Sequence, residues 1–391
     1  MLNLKKDPAK FGGLALATGL LLGAQTGLAE VPDDVFLKGD FIELGIHGAG
    51  DYGSSAPPDP ALGFEDPWSS VEGGLGFVAD FERNGWDTSS TGGFDPSGPQ
   101  DMTNIPNYSG DYFLPGTPWE GFLVEFTHEG IDYTWRNYGV NGETDVTPVS
   151  LVNTSSGSTQ SAAWVGLADE NSSPRTGTPP PPQAALEVQQ NTFFDVGDAQ
   201  FFIEVTLTNT GSDTLQDVEY ARHFDPDNEQ NWTGDFATIN YVTHPTGADN
   251  PDGFAEVVAL GRVWAIPIAL RIFHPNAVAH VNTGGLFIES PDDILDSPNQ
   301  PDSSNPVDAD VGIGVALRIE ELAPGESETF VVAYVLNIED IDDPTPPPPA
   351  PPPPVTPDPV EPLPVPVPLW AYVLMGLLML PLAAHRLRAR N

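Results

Sequence analysis

Alternating apolar and polar residues are the feature that most restricts the fold of this chain. An apolar residue stands at every second position in residues 311–319 and 203–208, so these apolar side chains share one face of an extended chain. The same pattern occurs in residues 42–46 and 122–126. This period of two is typical of half-buried β-strands. No helical period occurs between residues 30 and 343, and 39 Gly and 43 Pro disfavour long helices. The sequence therefore predicts an all-β fold, a large antiparallel β-sandwich formed by one large or two joined domains.

A polar stretch lies in the middle of the predicted body, which spans residues 30–343. It runs from residue 153 to residue 183 and contains four consecutive prolines, Pro179–Pro182. Such a composition is found both at domain boundaries and in long surface loops. Both interpretations stay open, so the sequence does not decide between one domain and two.

The N-terminus has the pattern of a secretory signal. Lys5, Lys6 and Lys10 precede an apolar stretch, and Gly27 and Ala29 place small residues at the positions that a signal peptidase reads. This arrangement predicts a signal peptide over residues 1–29, with cleavage by signal peptidase between Ala29 and Glu30. The body is therefore expected outside the cytoplasm.

The C-terminus predicts a stalk and an anchor. Residues 344–368 contain 15 prolines in 25 positions, which favours polyproline II over any packed core. At ~3.1 Å per residue such a stalk reaches up to ~80 Å, and a linker of no set length is the alternative. Residues 369–391 combine a short apolar helix with a basic tail, which predicts a transmembrane segment. The arginines of this tail would stay on the cytoplasmic side: Arg386, Arg388 and Arg390.

This C-terminal arrangement resembles the tripartite sorting signals of Gram-negative surface proteins, of which the PEP-type and IPTL-type families are the nearest. The residues that carry the resemblance are Pro366, Pro368, Leu369 and Trp370, followed by the apolar helix and the arginines. The chain has neither Pro-Glu-Pro nor Ile-Pro-Thr-Leu, so its Pro-Leu-Trp is only similar to the second type. The resemblance implies processing at the inner membrane by an exosortase-like enzyme.

Charge and cysteine content exclude several classes of protein. The formal net charge is −42, and Lys38 is the only lysine of the predicted body. Such a surface repels nucleic acid and anionic lipid, tolerates high salt and attracts divalent cations. Because the chain has no cysteine, disulfides, thiolate zinc sites, iron–sulfur clusters and a cysteine nucleophile are excluded.

The best candidate for a bound metal is a short acidic loop. Asp225, Asp227, Asn228 and Glu229 supply the hard oxygen ligands that calcium prefers, although the spacing is not that of an EF-hand. A solvated turn produced by Pro226 is the alternative. The acidic groups that follow later in the chain are weaker versions of the same pattern: 292–296 and 308–310.

Aromatic residues suggest a possible sugar contact. Trp119, Trp135 and Tyr138 lie close together in the sequence, and exposed rings of this kind stack on sugar rings. Packing inside the sandwich is the alternative for all three.

The body also resembles secreted bacterial Ig-like β-sandwich proteins. Residues 205–218 look like a pair of their strands, and residues 322–335 look like their penultimate turn and last strand. This resemblance implies no activity, and the chain lacks a Gly-x-Ser-x-Gly elbow and a His-Glu-x-x-His motif. We expect a non-enzymatic adhesion, matrix or envelope-structural protein at the cell surface, with an envelope component or glycan as partner. A carbohydrate-binding or carbohydrate-acting module and a calcium-dependent structural module are the alternatives.

Overall fold

The central part of the chain forms antiparallel β-sheets. The computed structural model describes residues 32–65, 72–81, 83, 85–86, 109–175, 178–250, 253–297 and 300–336. The predicted signal peptide, the proline-rich segment and the transmembrane segment with its sorting residues lie outside the described residues. Within the described part, no helix combines the length and the apolar character needed to span a bilayer.

Strands dominate the described residues, which include eighteen of them and two one-turn α-helices. In chain order the strands are β1 (Val35–Lys38), β2 (Ile42–Ile46), β3 (Phe77–Ala79), β4 (Glu120–His128), β5 (Ile131–Tyr138), β6 (Glu143–Thr144), β7 (Thr147–Asn153), β8 (Thr159–Ala168), β9 (Leu186–Asp195), β10 (Gln200–Asn209), β11 (Leu215–Phe224), β12 (Thr238–His244), β13 (Phe254–Gly261), β14 (Pro267–Phe273), β15 (Ala277–Val281), β16 (Val307–Ala309), β17 (Ile313–Leu322) and β18 (Ser327–Val335). The helices are α1 (Gln230–Thr233) and α2 (Asp292–Leu295), and two 3₁₀ turns cover Pro60–Leu62 and Gly139–Asn141.

The strands form three sheets. The largest has nine strands in the order β16-β12-β13-β14-β18-β10-β9-β8-β7, and the second has six in the order β15-β17-β11-β4-β5-β6. A small sheet, β1-β2-β3, stands beside them. The pairings between strands are antiparallel. Antiparallel sheets bury one face and alternate inward and outward side chains, as the sequence pattern requires.

The main core is enclosed between these sheets. It includes Phe122 and Tyr220 from the six-stranded sheet, Val205 and Tyr334 from the nine-stranded sheet, and Leu44 from the small sheet. All five are 0% exposed. The predicted all-β fold, a large antiparallel β-sandwich, is therefore confirmed.

A second, smaller core covers the outer face of the six-stranded sheet. The chain between β15 and β16 crosses this face, and its Ile288 and Ile294 pack against Leu123, Ala221 and Ala316 of the sheet. We call residues 286–297, which include α2, the covering segment. It brings side chains of distant parts of the sequence onto β4, β11 and β17.

The polar stretch 153–183 is not one continuous loop. It contains the ten-residue strand β8, which pairs with β7 on one side and with β9 on the other. Short apolar residues such as Ala162 and Ala168 fill the inward positions of β8, together with Trp164. Small side chains give a weak hydrophobic signal, which is why the sequence pattern did not reveal this strand.

Candidate cation site

The acidic loop predicted from the sequence follows directly after β11 and is folded into the protein. The N–H of Asp225 donates to the carbonyl oxygen of Trp119 over 2.8 Å, and the N–H of Asp227 donates to that of Tyr112 over 3.3 Å. These bonds hold the loop against the segment that leads into β4. As a result Asp225 is only 5% exposed and Asp227 only 2%.

Both buried carboxylates lack compensation. The Oδ1 atoms of Asp225 and Asp227 are inaccessible to solvent and have no hydrogen-bond partner. Among the ion pairs of the described residues, none includes either side chain. Burial of an ionised carboxylate without a partner costs several kcal/mol, so such groups take up a proton or a cation.

The electrostatics of the loop reflect this conflict. Burial and, to a smaller extent, the nearby Asp310 raise the pKa of Asp225 to about 7. Burial also raises the pKa of Asp227, with added repulsion from Asp225 and Asp310. Carboxylates that repel one another in a dry site bind a proton more tightly, and they bind a divalent cation for the same reason.

Asn228 adds a fixed amide oxygen next to these carboxylates in the sequence. Its Nδ2 donates to the carbonyl oxygens of Ala259 and Ile266, over 2.9 and 2.6 Å. These two bonds orient the amide, and its Oδ1 remains buried without a hydrogen-bond partner. Because Asn228 is 0% exposed, water does not satisfy this oxygen from bulk solvent.

Glu229, the fourth residue predicted as a calcium ligand, has a different role. Its Oε1 accepts hydrogen bonds from the N–H groups of Trp264 and Ile266, over 2.8 and 3.2 Å, and its Oε2 accepts one from Val263 over 2.8 Å. The carboxylate therefore holds the β13–β14 turn, in which Ala265 has a φ of 55°. Three backbone N–H groups of the turn already use the Glu229 oxygens, and its role as a calcium ligand stays a prediction.

Acidic residues from other parts of the chain surround the loop. Asp310, between β16 and β17, acts on both loop carboxylates, and Asp111 and Glu72 act on Asp227. Asp111 is satisfied by four backbone N–H groups, including those of Gly76 and Phe113 at 2.7 and 2.9 Å. The sequence indicated Asp310 only as part of an acidic loop, and it gave no signal for Asp111 or Glu72.

The donor set at the loop is therefore two carboxylates and one amide oxygen. Hard oxygen donors of this kind suit Ca²⁺, which takes six to eight oxygen ligands and accepts water among them. Nothing in the set suits a soft transition metal. These unpartnered oxygens are candidate cation ligands, and the loop has no pair of nucleophile and base of the kind that acyl transfer needs.

The aromatic residues predicted as a sugar contact are buried. Trp135 lies in the main core with 0% exposure, and its Nε1 donates to Ser172 Oγ over 2.8 Å. Trp119 and Tyr138 lie on the outer face of the six-stranded sheet, 7% and 1% exposed, with ring centroids 4.4 Å apart. They do not form a common exposed platform with Trp135, so that interpretation is corrected: packing buries these rings.

No protein-family model matches the sequence, and no curated protein is similar to it. Among solved structures, the chain is similar to a galactose mutarotase-like protein from Lactobacillus casei, with a TM-score of 0.34 and 10% identity over 78% of this chain and 100% of that one. A galactose mutarotase related enzyme from Lactobacillus acidophilus gives 0.32 and 8% identity over 78% and 97%.

The α-galactosidase AgaA from Geobacillus stearothermophilus gives a TM-score of 0.31 and 10% identity, over 78% of this chain and 40% of that one. The chain thus spans less than half the length of this enzyme. These proteins are named for action on carbohydrates. Their TM-scores are too low for the likeness to carry an argument about this chain.

Proposed function

We propose that this chain is an exported, non-enzymatic surface protein whose acidic β-sandwich is a calcium-dependent structural module. The observation that carries the proposal is the pair of buried carboxylates, Asp225 and Asp227, whose Oδ1 atoms have no hydrogen-bond partner and which enter no ion pair within the described part of the chain. A divalent cation bound between them and the Asn228 oxygen offsets the cost of burying their charge. The loop then joins β11, α1 and the segment before β4.

The surrounding charge favours this proposal. A chain with a net charge of −42 accumulates cations at its surface, and Asp310 adds a further carboxylate close to the loop. The cation would be a structural ligand, because ligands that bind only the folded state stabilise it by mass action. Such a module suits adhesion or matrix contact outside the cell, where free calcium is abundant enough for weak extracellular sites.

The test is thermal unfolding of the full chain at pH 8, in EDTA and in millimolar CaCl₂. Calcium is expected to raise the Tm of the wild type by several degrees, since ~2.7 kcal/mol is gained at a hundredfold excess over Kd. Asp227→Asn is expected to reduce this rise and to remove one calcium ion from the binding seen in calorimetry. The exposed Asp33→Asn is the matched control and should retain both. Equal Tm values of the wild type in EDTA and in calcium would overturn the proposal.

Export and surface display form the other part of the proposal. The support is the signal-like N-terminus with Ala29 and Glu30, the proline-rich segment and the sorting-signal resemblance around Pro368. Mass spectrometry of the cell-associated and released protein tests it. We expect a new N-terminus at Glu30 and, if an exosortase-like enzyme acts, a new C-terminus near Pro368. An uncut chain recovered from the cytosol would contradict it.

Carbohydrate binding is a second candidate, favoured by one exposed ring. Phe287 of the covering segment is 45% exposed, and its ring centroid lies 3.9 Å from that of buried Trp119. Arg175 and Glu289, paired over 3.1 Å, provide polar groups in the same segment of the surface. A glycan array compares the wild type with Phe287→Ala. If the wild type binds a glycan and Phe287→Ala does not, carbohydrate binding is established. Steady turnover of a polysaccharide would show instead that the protein is an enzyme.

A further inference from the structure

Three carboxylates from distant parts of the sequence meet on the outer face of the six-stranded sheet. Glu125 of β4 and Glu219 of β11 stand directly opposite each other in the strand register. Asp292, the first residue of α2, approaches them from the covering segment. One oxygen of each residue lies within 4.8 Å of the other two, which is a spacing that a single cation can bridge.

The central member of this group has an unused oxygen. Glu219 is 2% exposed, and its Oε2 is buried without a hydrogen-bond partner. Burial raises the pKa of Glu219 to about 7, and it raises the pKa of Glu125 as well. This oxygen has lost its hydration without forming a hydrogen bond inside the protein, so a bound cation would stabilise it.

One basic side chain already contacts the group. Arg318 of β17 contacts Glu219 from the neighbouring strand, and its Nη2 lies 2.5 Å from Asp292 Oδ1. Three carboxylates and one guanidinium carry a formal charge of −2. A single divalent cation therefore neutralises the group. Within the described part of the chain, no second arginine or lysine is paired with these three carboxylates.

Hydroxyl groups complete a set of hard oxygen donors. Thr134 Oγ1 and Ser290 Oγ both donate to Glu125 Oε2, over 2.5 and 3.1 Å. A hydroxyl oxygen keeps lone pairs while it donates, and Ser290 Oγ accepts from the N–H of Asp292 over 3.1 Å. Carboxylate and hydroxyl oxygens are ligands of Ca²⁺ rather than of softer metals.

We propose that Glu125, Glu219 and Asp292 bind a second divalent cation, chemically a calcium ion, that fastens the covering segment to the six-stranded sheet. Glu125 and Glu219 belong to the sheet and Asp292 to α2, so the bound ion links the two. This site uses none of the residues of the acidic loop after β11. This second site can therefore be tested independently of the calcium site proposed for the loop.

The test is calcium titration by calorimetry at pH 8, with the full-length wild type, Glu219→Gln and the variants that follow. The wild type is expected to bind two ions, and Asp227→Asn, which removes the loop site, is expected to bind one. Asp227→Asn combined with Glu219→Gln should bind none, or bind at least tenfold more weakly. Glu321→Gln, an exposed position next to β11, is the matched control and should bind like the wild type.

Asp292→Asn changes a ligand without altering the interior of the sheet, because the Asp292 side chain is 45% exposed. In the Asp227→Asn background it should weaken the remaining calcium binding. Hydrogen exchange of residues 286–297 should slow on adding CaCl₂ in that background and lose this response in Asp292→Asn. No binding by Asp227→Asn would overturn the second site alone. If the wild type binds only one ion and Glu219→Gln binds none, the loop site is overturned instead.

Discussion

Glu120 and Arg222 form an ion pair inside the sandwich, with 2.6 Å between Glu120 Oε1 and Arg222 Nε and no exposure of either side chain. The pair does not stand alone. Arg222 Nη1 donates to Gln190 Oε1 over 2.6 Å, and Tyr334 donates from its hydroxyl to Glu120 Oε1 over 2.6 Å. The N–H of Tyr52 donates to Glu120 Oε2, so residues of all three sheets or their connections share one polar network.

Breaking this pair should destabilise the protein strongly. Glu120→Gln keeps the shape of the side chain but leaves the buried Arg222 charge uncompensated. A loss of ~3–5 kcal/mol in the free energy of unfolding is expected, since removing one partner of a buried pair has that effect. Urea denaturation measures it, with Glu321→Gln as an exposed control that should change stability by less than ~0.5 kcal/mol. A Glu120→Gln protein as stable as the wild type would show that the network contributes nothing.

The contribution of Asp225 to stability without calcium should decrease as pH rises from about 4 to about 7. The folded-state pKa of Asp225 is raised to about 7, so the folded protein holds a proton that the unfolded chain has lost. This stabilisation is complete below the unfolded pKa of ~3.9 and is lost as pH passes the folded value, at no more than ~1.4 kcal/mol per pH unit for one group. Glu219, whose pKa is also about 7, contributes a slope of the same sign.

The measurement is the free energy of unfolding in EDTA at pH 5, 6, 7 and 8. Asp225→Asn should remove the contribution of this residue to the slope, because its side chain does not titrate, and Asp33→Asn should leave the slope unchanged. Calcium should restore stability at pH 8 more than at pH 5, since protons compete with the cation. A dependence of stability on pH in EDTA that is the same in Asp225→Asn as in the wild type would contradict the argument.

Glu229 offers a way to separate turn stability from cation binding. Glu229→Ala leaves the N–H groups of Val263, Trp264 and Ile266 without their acceptor. A loss of ~1–3 kcal/mol in stability is expected from unsatisfied buried donors. Calcium binding at the neighbouring loop should persist, because the Glu229 oxygens are not counted among its ligands. Stability is read from urea denaturation and binding from calorimetry. Loss of binding without loss of stability would reinstate Glu229 as a ligand.

Many of the strands were predictable from the sequence, because alternating apolar and polar residues are a local signal of a β-strand. Residues 311–319 became most of β17 and residues 203–208 lie within β10, as the apolar pattern indicated. The loop carboxylates Asp225 and Asp227 were likewise visible as neighbours in sequence. A sequence pattern can bring together only side chains that are close to each other along the chain.

The remaining parts depend on pairing between distant segments. Glu125 and Glu219 face each other only because β4 pairs with β11 in one particular register, which no local pattern specifies. Glu229 holds a turn that lies 34 to 37 residues further along the chain. The burial of Trp119 follows from the covering segment, whose Phe287 and Ile288 come from beyond β15. A one-dimensional pattern records composition and period, and these contacts are decided by topology.

The close approach of the covering segment to the sheet should be sensitive to a single methyl group. A Cβ on Gly314 of β17 would lie 2.7 Å from Ile294 Cδ1 of α2 and 3.1 Å from the carbonyl oxygen of Arg222. Since the backbone of β11 cannot yield without losing pairing, Gly314→Ala should push Ile294 outward. Overpacking of this kind costs ~1–3 kcal/mol. Gly197→Ala is the control, because a Cβ there meets nothing within 4 Å. Hydrogen exchange should show faster exchange over residues 286–297 in Gly314→Ala alone; unchanged exchange and stability would mean that the covering segment is not tightly packed on the sheet.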